Sequence, residues 1–97
     1  MTHQLFVAPR AEADLRDAFI WYGQRSSALA EDLMRQVEAR LELLRHSPQV
    51  SRKRFGPYRL APTKRFPYAI YYIWDETNHF VMVRRILHFC EDSPPKI

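Results

Sequence analysis

The chain has one cysteine, Cys90, and two glycines, Gly23 and Gly56, in 97 residues. A lone thiol closes no internal disulfide, which fits a reducing compartment. Two isolated glycines supply no Gly-rich phosphate loop, and there is no G-x-S-x-G. No run of eighteen apolar residues occurs, and Met1-Thr2-His3-Gln4 leads in without the charged and apolar regions of an export signal; a soluble cytoplasmic protein with no membrane contact is expected. His3, His46, His79 and His88 lack zinc spacing, and Asp75-Glu76 and Glu91-Asp92 stand in turn-like settings, so no metal site is read and no cofactor is expected.

What is present is a folding composition: 46% hydrophobic, 27% charged and 13% aromatic. A chain of this length buries one modest core, so a single domain over 1–97 is expected. The net charge of +4 is unevenly distributed. Residues 1–44 carry five Lys/Arg against seven Asp/Glu, whereas residues 45–65 carry seven against none: Arg45, Arg52, Lys53, Arg54, Arg59, Lys64 and Arg65. Such a stretch attracts an acidic partner or a polyanion, or serves only as a solvated loop.

Gln4 to Ala8 reads as a short strand, and Pro9 suits the first turn of a helix. Leu15, Ala18, Phe19 and Tyr22 recur at helical spacing to about Tyr22, with acids in the first turns where the macrodipole favours them. Gly23 stops this helix and a serine caps the next, whose stripe Leu33, Met34, Val37, Leu41 and Leu44 runs to about Arg45 before Pro48. So short a link predicts a helical hairpin, its stripe committed to the core. Three strands should follow: Arg54 to Leu60, bent or placed at an edge by Gly56-Pro57; Pro67 to Trp74; and His79 to His88, after a turn at Asp75-Glu76-Thr77-Asn78. The expectation is an α+β fold, β-α-α-β-β-β, with the helical hairpin packed on one face of a mostly antiparallel sheet.

The strand within "KRFPYAIYYIW", residues 64–74, is apolar or aromatic on both faces. That predicts a central strand covered by helices on one side and partly occluded on the other, by the C-terminal tail or a partner protein. Beside it stand the parts that metal-free phosphodiester cleavage needs: cations for the phosphate in Arg59 and Arg84 or Arg85, a proton-transfer group in His88, and tyrosines. A histidine at a strand end is also an ordinary rim residue. Strict alternation sends Arg84 and Arg85 to opposite faces, and which goes where depends on register.

The element order, with Phe55-Gly56-Pro57-Tyr58-Arg59-Leu60, Arg65-Phe66-Pro67-Tyr68-Ala69-Ile70-Tyr71-Tyr72 and Val81-Met82-Val83-Arg84-Arg85-Ile86-Leu87-His88, resembles the RelE/ParE superfamily of type II toxin–antitoxin toxins, or plasmid-stabilisation proteins, on its ParE-like side. The resemblance implies a small cytoplasmic toxin held in a hetero-oligomer by a cognate antitoxin. RelE-like members cleave mRNA in the ribosome; ParE-like members inhibit DNA gyrase. Members commonly read H-x-x-R-D-P after the strand-end histidine, whereas here Glu91 takes the arginine position, and no aromatic residue follows Phe89. An anion beside a scissile phosphate opposes cleavage. The ParE-like reading therefore leads. The alternatives are an mRNA endonuclease using Arg59, Arg84, Arg85 and His88, and a degenerate, non-toxic protein that binds antitoxin or nucleic acid. Residues expected to meet target or antitoxin are Arg52, Lys53, Arg54, Tyr58, Arg59, Arg65, Arg84, His88 and Glu91.

Overall fold

Pro9, at the first helical position, sets the start of α1 (Pro9–Gly23) directly after strand β1 (Gln4–Val7). The junction is fastened to the sheet, because the Ala8 amide donates to the Val83 carbonyl at 2.8 Å. Ser26 caps α2 (Ser27–His46), its hydroxyl accepting from the Leu29 amide, and Arg45 places a cation in the last turn, where the helix dipole favours it. A 3-10 turn, Pro48–Val50, follows, and then β2 (Lys53–Phe55), β3 (Tyr58–Pro62), β4 (Tyr68–Asp75) and β5 (Phe80–His88). The computed structural model describes residues 2–89. None of the described helices is long and apolar enough to cross a membrane.

The α+β class, the helical hairpin and the mostly antiparallel sheet are as the sequence implies, with one correction. The stretch expected as one bent strand, 54–60, is a hairpin, so the order is β-α-α-β-β-β-β. Gly56 adopts φ +58°, which reverses the chain where a residue with a Cβ would be strained. The sheet runs β1-β5-β4-β3-β2, with β1 parallel to β5 and every other pair antiparallel.

Alternation along β4 divides the core in two. Ile70 and Tyr72 face the helices, with Val81, Val83, Ile86, Ala61 and Phe66, and are covered by Leu33, Val37 and Leu44 of α2. Ala11 and Ala18 present α1 to the same core, and their small side chains let that helix lie close over β5. Residues of the opposite parity form a smaller cluster on the far face, where Leu60, Ala69 and Tyr71 are buried beside Phe55, Leu87 and Phe89. Tyr72 is fully buried, and its hydroxyl donates to the Pro48 carbonyl at 2.8 Å, tying the 3-10 turn to the sheet. Burial pushes its phenol above the ordinary 10.0, with Ser51 and the Arg59 charge offsetting part of the rise.

Candidate functional site

Arg59 and His88, two of the residues proposed for phosphodiester chemistry, stand at opposite ends of the helix-covered face. Arg59 lies opposite Tyr72 on β3, and His88 opposite Tyr68 on β5. Those positions are four residues apart along β4, about 13 Å in the strand direction.

Arg59 is occupied by structure. Its Nη1 donates to the Ser51 carbonyl at 2.6 Å, and its guanidinium lies over the Trp74 ring at 5.2 Å from the centroid. The His3 ring meets Trp74 edge-on at 5.8 Å. Arg59 thus holds the segment after the 3-10 turn against the sheet.

The other end is shaped by a bulge. β4 and β5 pair in register up to Tyr71 opposite Arg85, then resume at Tyr72 opposite Val83, so Arg84 is the extra residue. A bulge breaks strict alternation and redirects the side chains beside it. Arg84 is exposed, while Arg85 reaches back to α1 and binds Asp14 through Nε at 2.6 Å and Nη2 at 2.9 Å. Here β1 has ended, with Val7 opposite Val83, and the Asp14 carboxylate takes the Ile86 amide at 3.1 Å in place of a neighbouring strand's carbonyl. The hydrogen bonds that Arg85 donates to Asp14 hold its guanidinium more firmly protonated than usual. His88 is exposed and meets the Tyr68 ring edge-on at 5.5 Å. Burial, with a lesser contribution from Tyr22, raises the Tyr68 phenol, which stays neutral near pH 7.

The basic stretch also divides. Arg65, in the left-handed region at φ 71°, is bound by Asp32 of α2, whose carboxylate also lies 3.6 Å from Arg35. This pair holds the loop before β4 on the helical hairpin. Arg54 lies 5.8 Å over the Phe89 ring on the far face, and Tyr58 stands opposite Phe55 there. Arg52, Lys53 and Arg84 are exposed and have no partner among the described residues. Glu91 lies outside the described residues.

The far face is also apolar. Phe6, 46% exposed, meets Phe80 edge-on at 5.9 Å, beside half-buried Ile73 and Met82. Two features are absent from the sequence reading: Phe6 on this face, counted only as part of a strand, and, on the helix-covered side, a cavity of about 460 Å³ between α1 and the end of β5. The cavity joins Asp14, Asp17, Trp21 and Tyr22 to Tyr68 and His88, residues more than forty positions apart in the chain. Among the described residues, no three His, Cys, Asp or Glu side chains gather to hold a metal ion.

Residues 5–92 match the family described as the ParE toxin of the type II toxin–antitoxin system, parDE. The chain belongs to the ParE toxin family. Its fold is that of a chain from the chromosomal ParDE toxin–antitoxin system of P. aeruginosa, with a TM-score of 0.76 and 15% identity over 90% of this chain and 96% of that one. The toxin–antitoxin complex RelBE2 of Mycobacterium tuberculosis also matches, with a TM-score of 0.62 and 18% identity over 92% of this chain and 100% of that one. No curated protein matches the sequence significantly. This ParE-type toxin thus shares its fold with chains from a ParDE and a RelBE2 system, and identities so low carry the fold and not the target.

Proposed function

We infer that this ParE-type toxin acts in the cytoplasm by binding and inhibiting DNA gyrase, and that a cognate antitoxin neutralises it by covering the open sheet face and the C-terminal region. The observation that carries the binding reading over the nuclease reading is the dispersal of the candidate catalytic groups. Arg59 is spent on the Ser51 carbonyl, Arg85 on Asp14, and His88 stands at the other end of the face from Arg59. Cleavage needs base, acid and phosphate-binding cations within hydrogen-bond reach of one phosphodiester. A protein-binding surface needs no such convergence. The open face offers what docking uses, an apolar strip of exposed Phe6 with half-buried Phe80 and Met82, and the exposed cations Arg52, Lys53 and Arg84, on β2 and β5 or beside them, have no partner among the described residues.

Pulse labelling of DNA and protein synthesis in the minutes after induction without antitoxin tests this reading. DNA synthesis is expected to fall first, and the purified toxin to inhibit supercoiling by gyrase until antitoxin is added. Protein synthesis falling first, with gyrase unaffected, would replace this reading with mRNA cleavage.

A further inference from the structure

The cavity between α1 and the end of β5 is walled by four rings that meet in sequence at steep angles. Trp21 and Tyr22 lie 4.8 Å apart at 78°, Tyr22 and Tyr68 6.3 Å apart at 63°, and Tyr68 and His88 5.5 Å apart at 68°. Rings so inclined are not stacked on one another and line the cavity from different directions, and an aromatic ring face attracts a cation. The cavity volume, about 460 Å³, lies in the range of small-ligand sites.

Two carboxylates of α1 line the same space, and their situations differ. Asp14 is saturated: Oδ2 accepts from Arg85 Nε and the Ile86 amide, and Oδ1 accepts from Arg85 Nη2. Its charge is balanced by a guanidinium held firmly protonated. Asp17, one turn further on, is exposed and has no partner among the described residues, so its charge is uncompensated. A free anion beside these rings, on a chain whose net charge is +4, selects a cation. The helix already shows the chemistry beside the cavity: Arg25 stacks its guanidinium 3.4 Å over the Trp21 ring. A planar guanidinium combines stacking on rings with paired hydrogen bonds to a carboxylate, which an ammonium does not.

We propose that this cavity receives an arginine side chain of the antitoxin, held between Tyr22, Tyr68 and His88 with its charge on Asp17. The proposal rests on the antitoxin partnership inferred above and adds a cationic anchor to a contact otherwise made between the toxin's own cations and an acidic partner. A cation seated in an acidic cavity on a basic toxin would orient the partner, because displacing the segment leaves both charges unpaired.

N-acetyl-arginine amide is titrated into the full-length toxin against its neutral isostere, N-acetyl-citrulline amide, following the ring resonances of Tyr68 and His88. Saturable shifts are expected with the arginine probe and none with citrulline. Asp17→Asn is expected to weaken the arginine probe at least tenfold and Asp17→Glu to restore it; the exposed position keeps both variants folded. Equal response to the two probes, or an unchanged affinity in Asp17→Asn, overturns the proposal. Binding that appears only when the chain is cut after Phe89 assigns the cavity to this chain's own tail, and self-association abolished by Asp17→Asn assigns it to a second copy; either result also overturns the proposal. With the cognate antitoxin, replacing its arginines singly should yield one whose loss weakens binding to the wild type and adds nothing in Asp17→Asn. Antitoxin that binds tightly with no arginine coupled to Asp17 sinks the anchor and leaves the partnership standing. Absence of antitoxin binding to any variant sinks the partnership and with it the anchor's occupant.

Discussion

The two faces of the sheet use similar residues to different ends. On the helix-covered side, tyrosine is sealed and its hydroxyl satisfied, as at Tyr72, and the cations at its margins are consumed: Arg59 by a carbonyl, Arg65 by Asp32, Arg85 by Asp14. On the far side a smaller cluster of Leu60, Ala69 and Tyr71 is buried and Phe6 stays 46% exposed, while the exposed cations Arg52, Lys53 and Arg84 of β2, β5 and their flanks have no partner among the described residues. Cations that look equivalent in the sequence therefore belong to two populations. One supports the fold, and the other is available to a partner.

The sharpest way to break this division is Asp14→Ala. Arg85 and Asp14 side chains are 12% and 14% exposed, so removing the acid strands a largely buried cation and the Ile86 amide together. A loss of about 3 kcal/mol in denaturant unfolding is expected. A cost below about 1 kcal/mol would reclassify the pair as an ordinary surface contact and return Arg85 to the cations available for function.

Tyr72→Phe probes the sealed face with a smaller effect. Loss of the hydrogen bond to Pro48 is expected to cost about 1 kcal/mol. Because burial raises the Tyr72 and Tyr68 phenols, the stability linked to their neutral forms is complete below pH 10.0, the ordinary phenol value, and is lost as pH rises through the elevated folded-state values. Tyr72→Phe should flatten that alkaline decline, measured by unfolding from pH 8 to 11. An unchanged slope would mean that Tyr72 does not drive it.

The smallest change in stability is expected at two exposed positions, Phe6 on the open face and Arg84 at the bulge. Phe6→Ser and Arg84→Glu should each leave unfolding within about 0.5 kcal/mol of the parent. Toxicity and antitoxin affinity should nevertheless fall, as read by growth after induction and by titration with antitoxin. Variants that keep both properties would remove these positions from the docking surface.

The legible parts of the fold are those with a local cause. Pro9 and Ser26 mark helix starts, the stripe through Leu33, Val37 and Leu44 marks the helix face turned to the core, and a β4 apolar on both faces announces a central strand. The β2–β3 hairpin was harder to see. Its arms have three and five residues, too few to show a period, and only the positive φ at Gly56 separates a reversal from a bend. At the site, His88 is recognisable as a strand-end residue, but nothing near Arg59 in the sequence announces the Ser51 carbonyl that claims it. Asp14 reads as a helix-dipole acid because its real partner is 71 residues away.

By itself the sequence determined the class of fold, the family pattern, the apolar faces of β4 and the concentration of cations between residues 45 and 65. These follow from period, composition and turn chemistry, which act over a few residues. Only the tertiary structure decided which cations remain available. That outcome depends on a one-residue bulge at Arg84, on where β1 ends against β5, and on acids delivered from α1 and α2. Charge pairing is set by distances of a few ångströms between segments far apart in the chain, and those distances exist only once the helical hairpin has docked on the sheet.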